Sequence, residues 1–307
     1  MSTFSQELIG RSGYLDEGFA DVYDRYRPSP PAGLLDVLTV VAGVERPALV
    51  VDLGCGTGLA TRAWGERARE VVGVEPNPRM LERARKSTEQ PNIRYAEAYG
   101  DDTGLPPGRA DLVTSFQSFH WMEPQPVLAE AARVLRVGGV FAACDYDVPP
   151  FVEPEVDSAH MTLMKARREA RQLLSVPAGS STWPKDRHLD EIRASGRFRH
   201  ARELLAHGWW ETDAERMVGF AKSIGGPREL FAEQASEVGD AFEWLRETAV
   251  RVLGTRTWPV LLCYRIRVGI KSAARAVPCP DSRRHRRPAS AGSRGRAAGR
   301  PRSVEPA

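Results

Sequence analysis

The 307-residue chain has no run approaching the roughly 18–20 consecutive apolar residues of a membrane span, which excludes a simple spanning helix. Its first residues, Met1 to Glu7, lack a basic stretch leading into an apolar one, so no secretory leader is expected. Only four cysteines occur, Cys55, Cys144, Cys263 and Cys279, far apart and without a Cys-x-x-Cys pair. That argues against a disulfide scaffold and a zinc site, and for reduced thiols in a cytoplasmic protein. The six histidines are scattered, and no His, Cys or acid set has ligand spacing, so no metal is expected.

The composition, 42% hydrophobic and 27% charged, suits a chain that buries a core and excludes one that is wholly disordered or collagen-like. The length allows one large domain or two modest ones. The net charge of +3 hides an asymmetry: residues 272–307 hold nine arginines against two acids, leaving 1–271 mildly acidic. A nucleic-acid reading from overall charge therefore fails for the body of the chain. The tail is rich in Arg, Pro, Ser, Gly and Ala and has no aromatic residues among its arginines. It is expected to be a disordered extension, or the product of a shifted reading frame, rather than a nucleic-acid arm.

Tyr14, Tyr23 and Tyr26 precede Arg27-Pro-Ser-Pro-Pro31, a proline run that ends any helix. Leu34 to Val44 has helical spacing. Five short apolar segments then read as strands: Ala48–Leu53, Val71–Glu75, Asn92–Ala96, Ala110–Phe116 and Val140–Cys144. Helices fall between them at Leu59–Ala68, after the Asn77-Pro78 start signal, and at Val127–Leu135, which Gly138-Gly139 closes. This alternation predicts a doubly wound α/β sheet with right-handed crossovers. Beyond residue 151 the pattern changes. Val156–Leu174 reads as a helix, a turn falls at 179–182 ahead of Trp183, and 189–250 carries Trp209, Trp210 and Trp244 among helical segments. Trp258–Ile270 alternates in period two, with Tyr264, Ile266 and Val268 on one face and Arg265 and Arg267 on the other, as in a last strand.

The chemistry concentrates in Val51-Asp-Leu-Gly-Cys-Gly-Thr-Gly58, between a buried strand and a helix. Glycine lets the backbone turn sharply and a ligand lie against the peptide planes. The spacing is G-x-G-x-G rather than the G-x-G-x-x-G of a dinucleotide site. Asp52 beside the loop suits an ammonium or sulfonium ligand better than a pyrophosphate. Glu75, ending the second strand, is placed to accept two ribose hydroxyls.

Together with Gly100-Asp-Asp-Thr-Gly-Leu-Pro106, Ala110-Asp-Leu-Val-Thr-Ser115 and Ala132-Arg-Val-Leu-Arg-Val-Gly-Gly-Val-Phe141, these pieces resemble the class I S-adenosylmethionine-dependent methyltransferases. They are most similar to the small-molecule branch that includes the ubiquinone/menaquinone and trans-aconitate enzymes. The resemblance covers 45–147 strongly and 14–31 and 258–270 loosely. It implies a Rossmann-like, mostly parallel sheet with a largely helical cap after the fifth strand, S-adenosylmethionine as cofactor and a small-molecule acceptor as partner. The expected organisation is a lid at 1–34, a cofactor core at 35–150, a cap at 151–250, a returning strand at 251–271 and the tail at 272–307.

Carried over by position, the resemblance puts Asp52, Gly54, Cys55, Gly56 and Gly58 at the methionine end of the cofactor, Cys55 as a small loop residue rather than a nucleophile. It puts Glu75 on the ribose, and Pro76 and Met80 beside the adenine. Asp101, with Asp102 next to it, meets the adenine amino group, Gly100 is a further cofactor-binding position, and Gln117 follows the fourth strand near the methionine portion or the transferred methyl. Tyr23, Tyr26, Arg27 and Pro28 match an N-terminal lid, with Arg27 for the cofactor carboxylate. His120, before Trp121, is the candidate base if the acceptor must lose a proton. His207, Trp183, Trp209 and Trp210 are weaker candidates for the acceptor pocket. The alternatives are a nucleic-acid methyltransferase, an NAD-dependent oxidoreductase and a protein that holds the cofactor without turnover. The first is disfavoured because Ser115–Trp121 replaces the Asp/Asn-Pro-Pro-aromatic turn of enzymes that modify exocyclic amines.

Overall fold

The apolar run ahead of the glycine loop becomes β1 (Leu49–Leu53), its side chains buried on both faces, as a central parallel strand requires. In this computed structural model the described residues are 16–173, 182–224 and 235–273, all within the first of the chain's two units, Met1–Ala273. Tyr14, Cys279, the turn at 179–181 and the basic tail beyond Ala273 lie outside the described residues.

Around β1 stand β2 (Glu70–Val74), β3 (Ile93–Ala96), β4 (Ala110–Phe116), β5 (Leu135–Tyr146), β6 (Phe198–Thr212) and β7 (Trp258–Lys271). They form one seven-stranded sheet in the order β3-β2-β1-β4-β5-β7-β6. The first five are parallel, and β7 inserts antiparallel between β5 and the edge strand β6. The strand order reverses between β1 and β4, the switch point at whose carboxyl ends this architecture opens a crevice.

Helices cover both faces: α1 (Phe19–Tyr26), α2 (Ala32–Val41), α3 (Leu59–Ala63), α4 (Pro78–Lys86), α5 (Pro124–Val134), α6 (Pro154–Leu173), α7 (His188–Ala194), α8 (Ala214–Lys222) and α9 (Ala235–Val252). One core gathers Leu34, Leu38, Trp64, Tyr146, Phe220 and Tyr264, and the other Val51, Val72, Phe119 and Phe141. No helix among the described residues is long and apolar enough to cross a membrane.

The expected five strands and intervening helices are present, and the start signal before α4 works as written: the Asn77 side chain accepts the N–H groups of Arg79 and Met80, with Pro78 at the first helical position. The helical reading of 189–250 is corrected at 198–212, which is the 15-residue strand β6. As an edge strand it leaves Leu205 and Trp209 exposed, so apolar residues do not alternate along it, and period-two patterning is lost. Gly138, expected to close a helix, instead sits at φ +77° within β5.

The most buried acid of the lid segment ties it to the core. Asp24 accepts from Arg62 at 2.7 Å, Arg83 at 3.1 Å and Ser87 at 3.1 Å, joining α1 to α3 and α4. Burial pushes its carboxyl up, but the Arg62 hydrogen bond and charge outweigh this and hold it below the ordinary value. On its other side α1 packs on α8, where a Cβ at Gly219 would overlap the Tyr26 ring. Gly219→Ala is expected to cost about 1–3 kcal/mol by overpacking. Urea denaturation reads that loss, and faster tryptic cleavage after Arg25 reads the loosening of α1.

Candidate functional site

At the end of β1 the chain turns through Gly54 and Gly56, both at positive φ. Gly54 is held by donating its N–H to the Val74 carbonyl at 2.8 Å, so the loop is pinned to the end of β2. A Cβ at Gly54 would come 2.6 Å from Met122 Cε and 2.7 Å from Ser118 Cβ, so only glycine fits there.

Asp52 is buried under this loop and accepts from the Thr61 hydroxyl at 2.7 Å and the Thr114 hydroxyl at 3.1 Å. Burial pushes its carboxyl up to about 6 against those two bonds. Glu75 accepts the Gly56 N–H on Oε2 at 3.0 Å and the Asn77 N–H on Oε1 at 2.9 Å. Burial drives it to about 7, opposed by those two N–H groups. Each Glu75 oxygen still has acceptor capacity beyond its one backbone bond.

These residues open on two adjoining cavities. The first, about 800 Å³, is lined by Gly54, Gly56, Glu75, Pro76, Asn77, Met80, Gly100, Asp101, Trp121 and Met122 among others. The second, about 470 Å³, is lined by Arg27, Asp52, Cys55, Ala60, Tyr146 and Tyr264 among others. Tyr23, Gly54, Phe116 and Gln117 line both, so the cavities meet at the carboxyl ends of β1 and β4. Burial also raises the Cys55 thiol well above its usual value, which suits an inert loop residue.

Gln117 adopts φ +52°, uncommon outside glycine, directly after β4. Its amide nitrogen donates to the Tyr146 carbonyl at 3.1 Å, and its amide oxygen accepts from Lys185 Nζ at 2.5 Å. Both ends of the amide are thereby fixed where the two cavities join. Arg27 donates to the Tyr146 hydroxyl at 2.5 Å and to the Ser223 carbonyl at 2.9 Å, and its guanidinium lies over the Tyr23 and Phe220 rings.

Four expectations need correction. His120 lines neither cavity: it sits on the one-turn helix Phe119–Trp121, its carbonyl bonded by the Trp183 N–H, its ring Nδ1 3.9 Å from Asp145. Burial and the nearby Lys185 charge keep it neutral, its pKa well below the ordinary histidine value. Gly58 also lines neither cavity; it caps α3 at φ +84° with the Tyr95 hydroxyl packed against it. Of the neighbouring acids, Asp101 lines the first cavity, whereas Asp102 is exposed and pairs back with Tyr99 in a turn. His207 and Trp209 are exposed on β6, and Trp210 packs on Phe220, so none of the three joins these cavities, and neither does Trp183.

Sequence reasoning missed Tyr146 and Tyr264 as cavity residues. They are brought together by the antiparallel β5–β7 register, which pairs them directly, and no local spacing signals it.

The glycine cradle, the two strand-end carboxylates and the adjoining cavities fit an adenosyl group with an amino-acid arm. The comparisons agree. Residues 51–143 match the family model described as a methyltransferase domain. A candidate S-adenosylmethionine-dependent methyltransferase of Saccharomyces cerevisiae is 33% identical over 47% of this chain and 51% of its own. An uncharacterized methyltransferase of Mycobacterium tuberculosis is 38% identical over 38% of this chain and 46% of its own. The chain thus spans about half the length of these curated relatives. A solved structure of a type II methyltransferase candidate from Anaeromyxobacter dehalogenans superposes with a TM-score of 0.55 at 25% identity, covering 80% of this chain and 98% of that one. With its switch-point crevice, its G-x-G-x-G loop and the acid at the end of β2, the chain carries a methyltransferase domain at 51–143, similar to those of the class I S-adenosylmethionine-dependent methyltransferases.

Proposed function

We propose that the protein transfers the methyl group of S-adenosylmethionine to a small-molecule acceptor held on the Tyr146 and Tyr264 side of the second cavity. The observation that carries this is Glu75, a buried carboxylate at the end of β2 whose oxygens each hold one backbone N–H and face the larger cavity. In this reading Glu75 accepts both ribose hydroxyls, Pro76 and Met80 flank the adenine, and Asp101 meets its amino group. The methionine arm runs past Gly54 and Gly56, with Asp52 facing its ammonium. When bound, the cofactor supplies a sulfonium methyl for in-line displacement.

The chain's own part is to bind, orient and exclude water, which is worth about 7–11 kcal/mol of barrier where the reacting atoms are well aligned. Gln117, clamped at both ends of its amide, is a fixed wall at the junction of the cavities. Tyr23 and Arg27, brought in by the Asp24 latch, close the second cavity from the N-terminal side. An acidic folded body and the absence of the Asp/Asn-Pro-Pro-aromatic turn favour a small acceptor over a nucleic acid.

Calorimetric titration with S-adenosylmethionine, S-adenosylhomocysteine and NAD tests the reading. Binding of the first two and not of NAD is expected. Glu75→Ala loses two charge-assisted hydrogen bonds and is expected to weaken cofactor binding roughly ten- to hundredfold. Binding of NAD alone would transfer the protein to the oxidoreductases.

The pH dependence follows from the same residue. A carboxyl raised to about 7 is substantially protonated at pH 6 and ionised at pH 8. The ionised form accepts both ribose hydroxyls, so cofactor affinity should rise with pH across that window. Glu75→Gln should flatten the rise.

A further inference from the structure

Two tyrosine hydroxyls on the second cavity have a proton to donate. Tyr146 Oη accepts from Arg27, so its own O–H is left to donate. Tyr264 Oη is buried and has no hydrogen-bond partner among the described residues. Both line the cavity, on directly paired residues of β5 and β7, with ring centroids 5.6 Å apart in an edge-to-face arrangement. Leaving a buried hydroxyl unpaired costs about 1–3 kcal/mol, so the unpartnered Tyr264 hydroxyl beside the Tyr146 O–H marks a place built for an acceptor of hydrogen bonds. Burial and the neighbouring Tyr146 hold the Tyr264 hydroxyl well above its ordinary pKa, so it stays a donor.

The charge pattern says which kind of acceptor. The Arg27 guanidinium donates into Tyr146 and thereby strengthens that O–H as a donor. The one carboxylate on this cavity, Asp52, stands on β1, three strand spacings from β7, or about 14 Å along the sheet. Apart from the Gln117 amide and the Gly54-Cys55 turn, the rest of the wall is Tyr23, Pro28, Pro30, Leu59, Ala60 and Phe116, flat or apolar surfaces.

We infer that Tyr146 and Tyr264 form an oxyanion clamp for the methyl acceptor, which is a small molecule with a flat apolar body and an anionic oxygen, such as an aromatic carboxylate. This rests on the proposed cofactor reading. The competing source of the same chemistry is the α-carboxylate of the cofactor itself, and the experiment separates the two.

The probes are benzoate and cinnamate, with benzamide and cinnamamide as neutral counterparts, titrated into the full-length protein saturated with S-adenosylhomocysteine. The acids are expected to bind saturably and the amides to bind at least tenfold more weakly. Tyr264→Phe should weaken the acids roughly tenfold or more while leaving affinity for S-adenosylhomocysteine within twofold. Tyr146→Phe serves as the second variant should the first lose its fold by circular dichroism.

Absence of acid binding to the loaded protein, or equal binding of acids and amides, overturns the clamp. A Tyr264→Phe variant that weakens S-adenosylhomocysteine but not 5′-deoxy-5′-methylthioadenosine, which lacks the amino-acid arm, assigns the hydroxyls to the cofactor and also overturns it. Failure of the wild-type protein to bind S-adenosylhomocysteine at all is a failure of the cofactor reading instead.

Discussion

Arg267→Met is expected to destabilise the protein by about 3–5 kcal/mol, the usual consequence of removing one partner from a buried ion pair. Arg267 has a side chain only 5% exposed and reaches two acids, Asp145 Oδ2 at 3.1 Å and Glu203 Oε2 at 2.8 Å. Asp145 is as deeply buried and also faces Lys185 Nζ at 3.0 Å and His188 Nδ1 at 3.3 Å. Burial works to raise its carboxyl, but the His188 ring nitrogen beside it and the charges around it, Lys185 first, hold it far below the ordinary range. Methionine fills a similar volume, so the loss measured is electrostatic rather than a cavity. Urea denaturation at pH 7 checks it, and the double variant with Asp145→Leu should recover much of the loss.

The sign with pH is fixed by the direction of the shift. A carboxyl held below its ordinary 3.8 contributes stability that is fully present above that value and fades as pH falls below it. The gap between wild type and Arg267→Met should therefore narrow below pH 4. Lys185 carries the cluster to the site, since the same ammonium forms an ion pair with Asp145 and donates to the Gln117 amide oxygen. A change made on β7 is thus felt at the junction of the two cavities.

That cluster is also where the sequence was least legible. Alternation along β7 correctly set Arg265 and Arg267 on one face, but it carries no information on what covers the face. Arg265 is half exposed beside Asp147 and Glu203, whereas Arg267 is buried, with the buried Asp145 on one side and Glu203 of β6 on the other. Residues whose position is local lie where the sequence puts them. Asp52 and Glu75 are fixed by their strands, Asn77-Pro78 by capping stereochemistry, and Gly54 and Gly56 by the turn between β1 and α3. Residues whose role depends on distant pairing give no such local signal. Tyr146 and Tyr264 meet only through the β5–β7 register, and β6 was hidden because its exposed edge position does not demand an alternating apolar face. His120 was read from its closeness to Gln117 in sequence. The one-turn helix after β4 rotates it behind the cavity wall, toward Asp145.

Gly54→Val is expected to reduce cofactor affinity by two to three orders of magnitude, the largest effect of any single change at the site. Three costs act together. The backbone at φ +64° disfavours a β-branched residue by about 1–2 kcal/mol. The new side chain meets Ser118 Cβ, a short rigid neighbour, as well as the movable Met122 methyl, an overpacking of about 1–3 kcal/mol. Gly54 also lines both cavities, so the added methyl groups enter the space the ligand would occupy. Gly43→Val separates these costs. Gly43 has nearly the same backbone conformation, φ +66°, with nothing within 4 Å of an added Cβ, and it lies between α2 and β1 away from both cavities. It should share the backbone penalty in urea denaturation while leaving calorimetric affinity for S-adenosylhomocysteine unchanged. If both variants lose affinity alike, the effect is a general loosening of the fold. If only Gly54→Val does, the glycine is kept for the close approach of a ligand to the loop after β1.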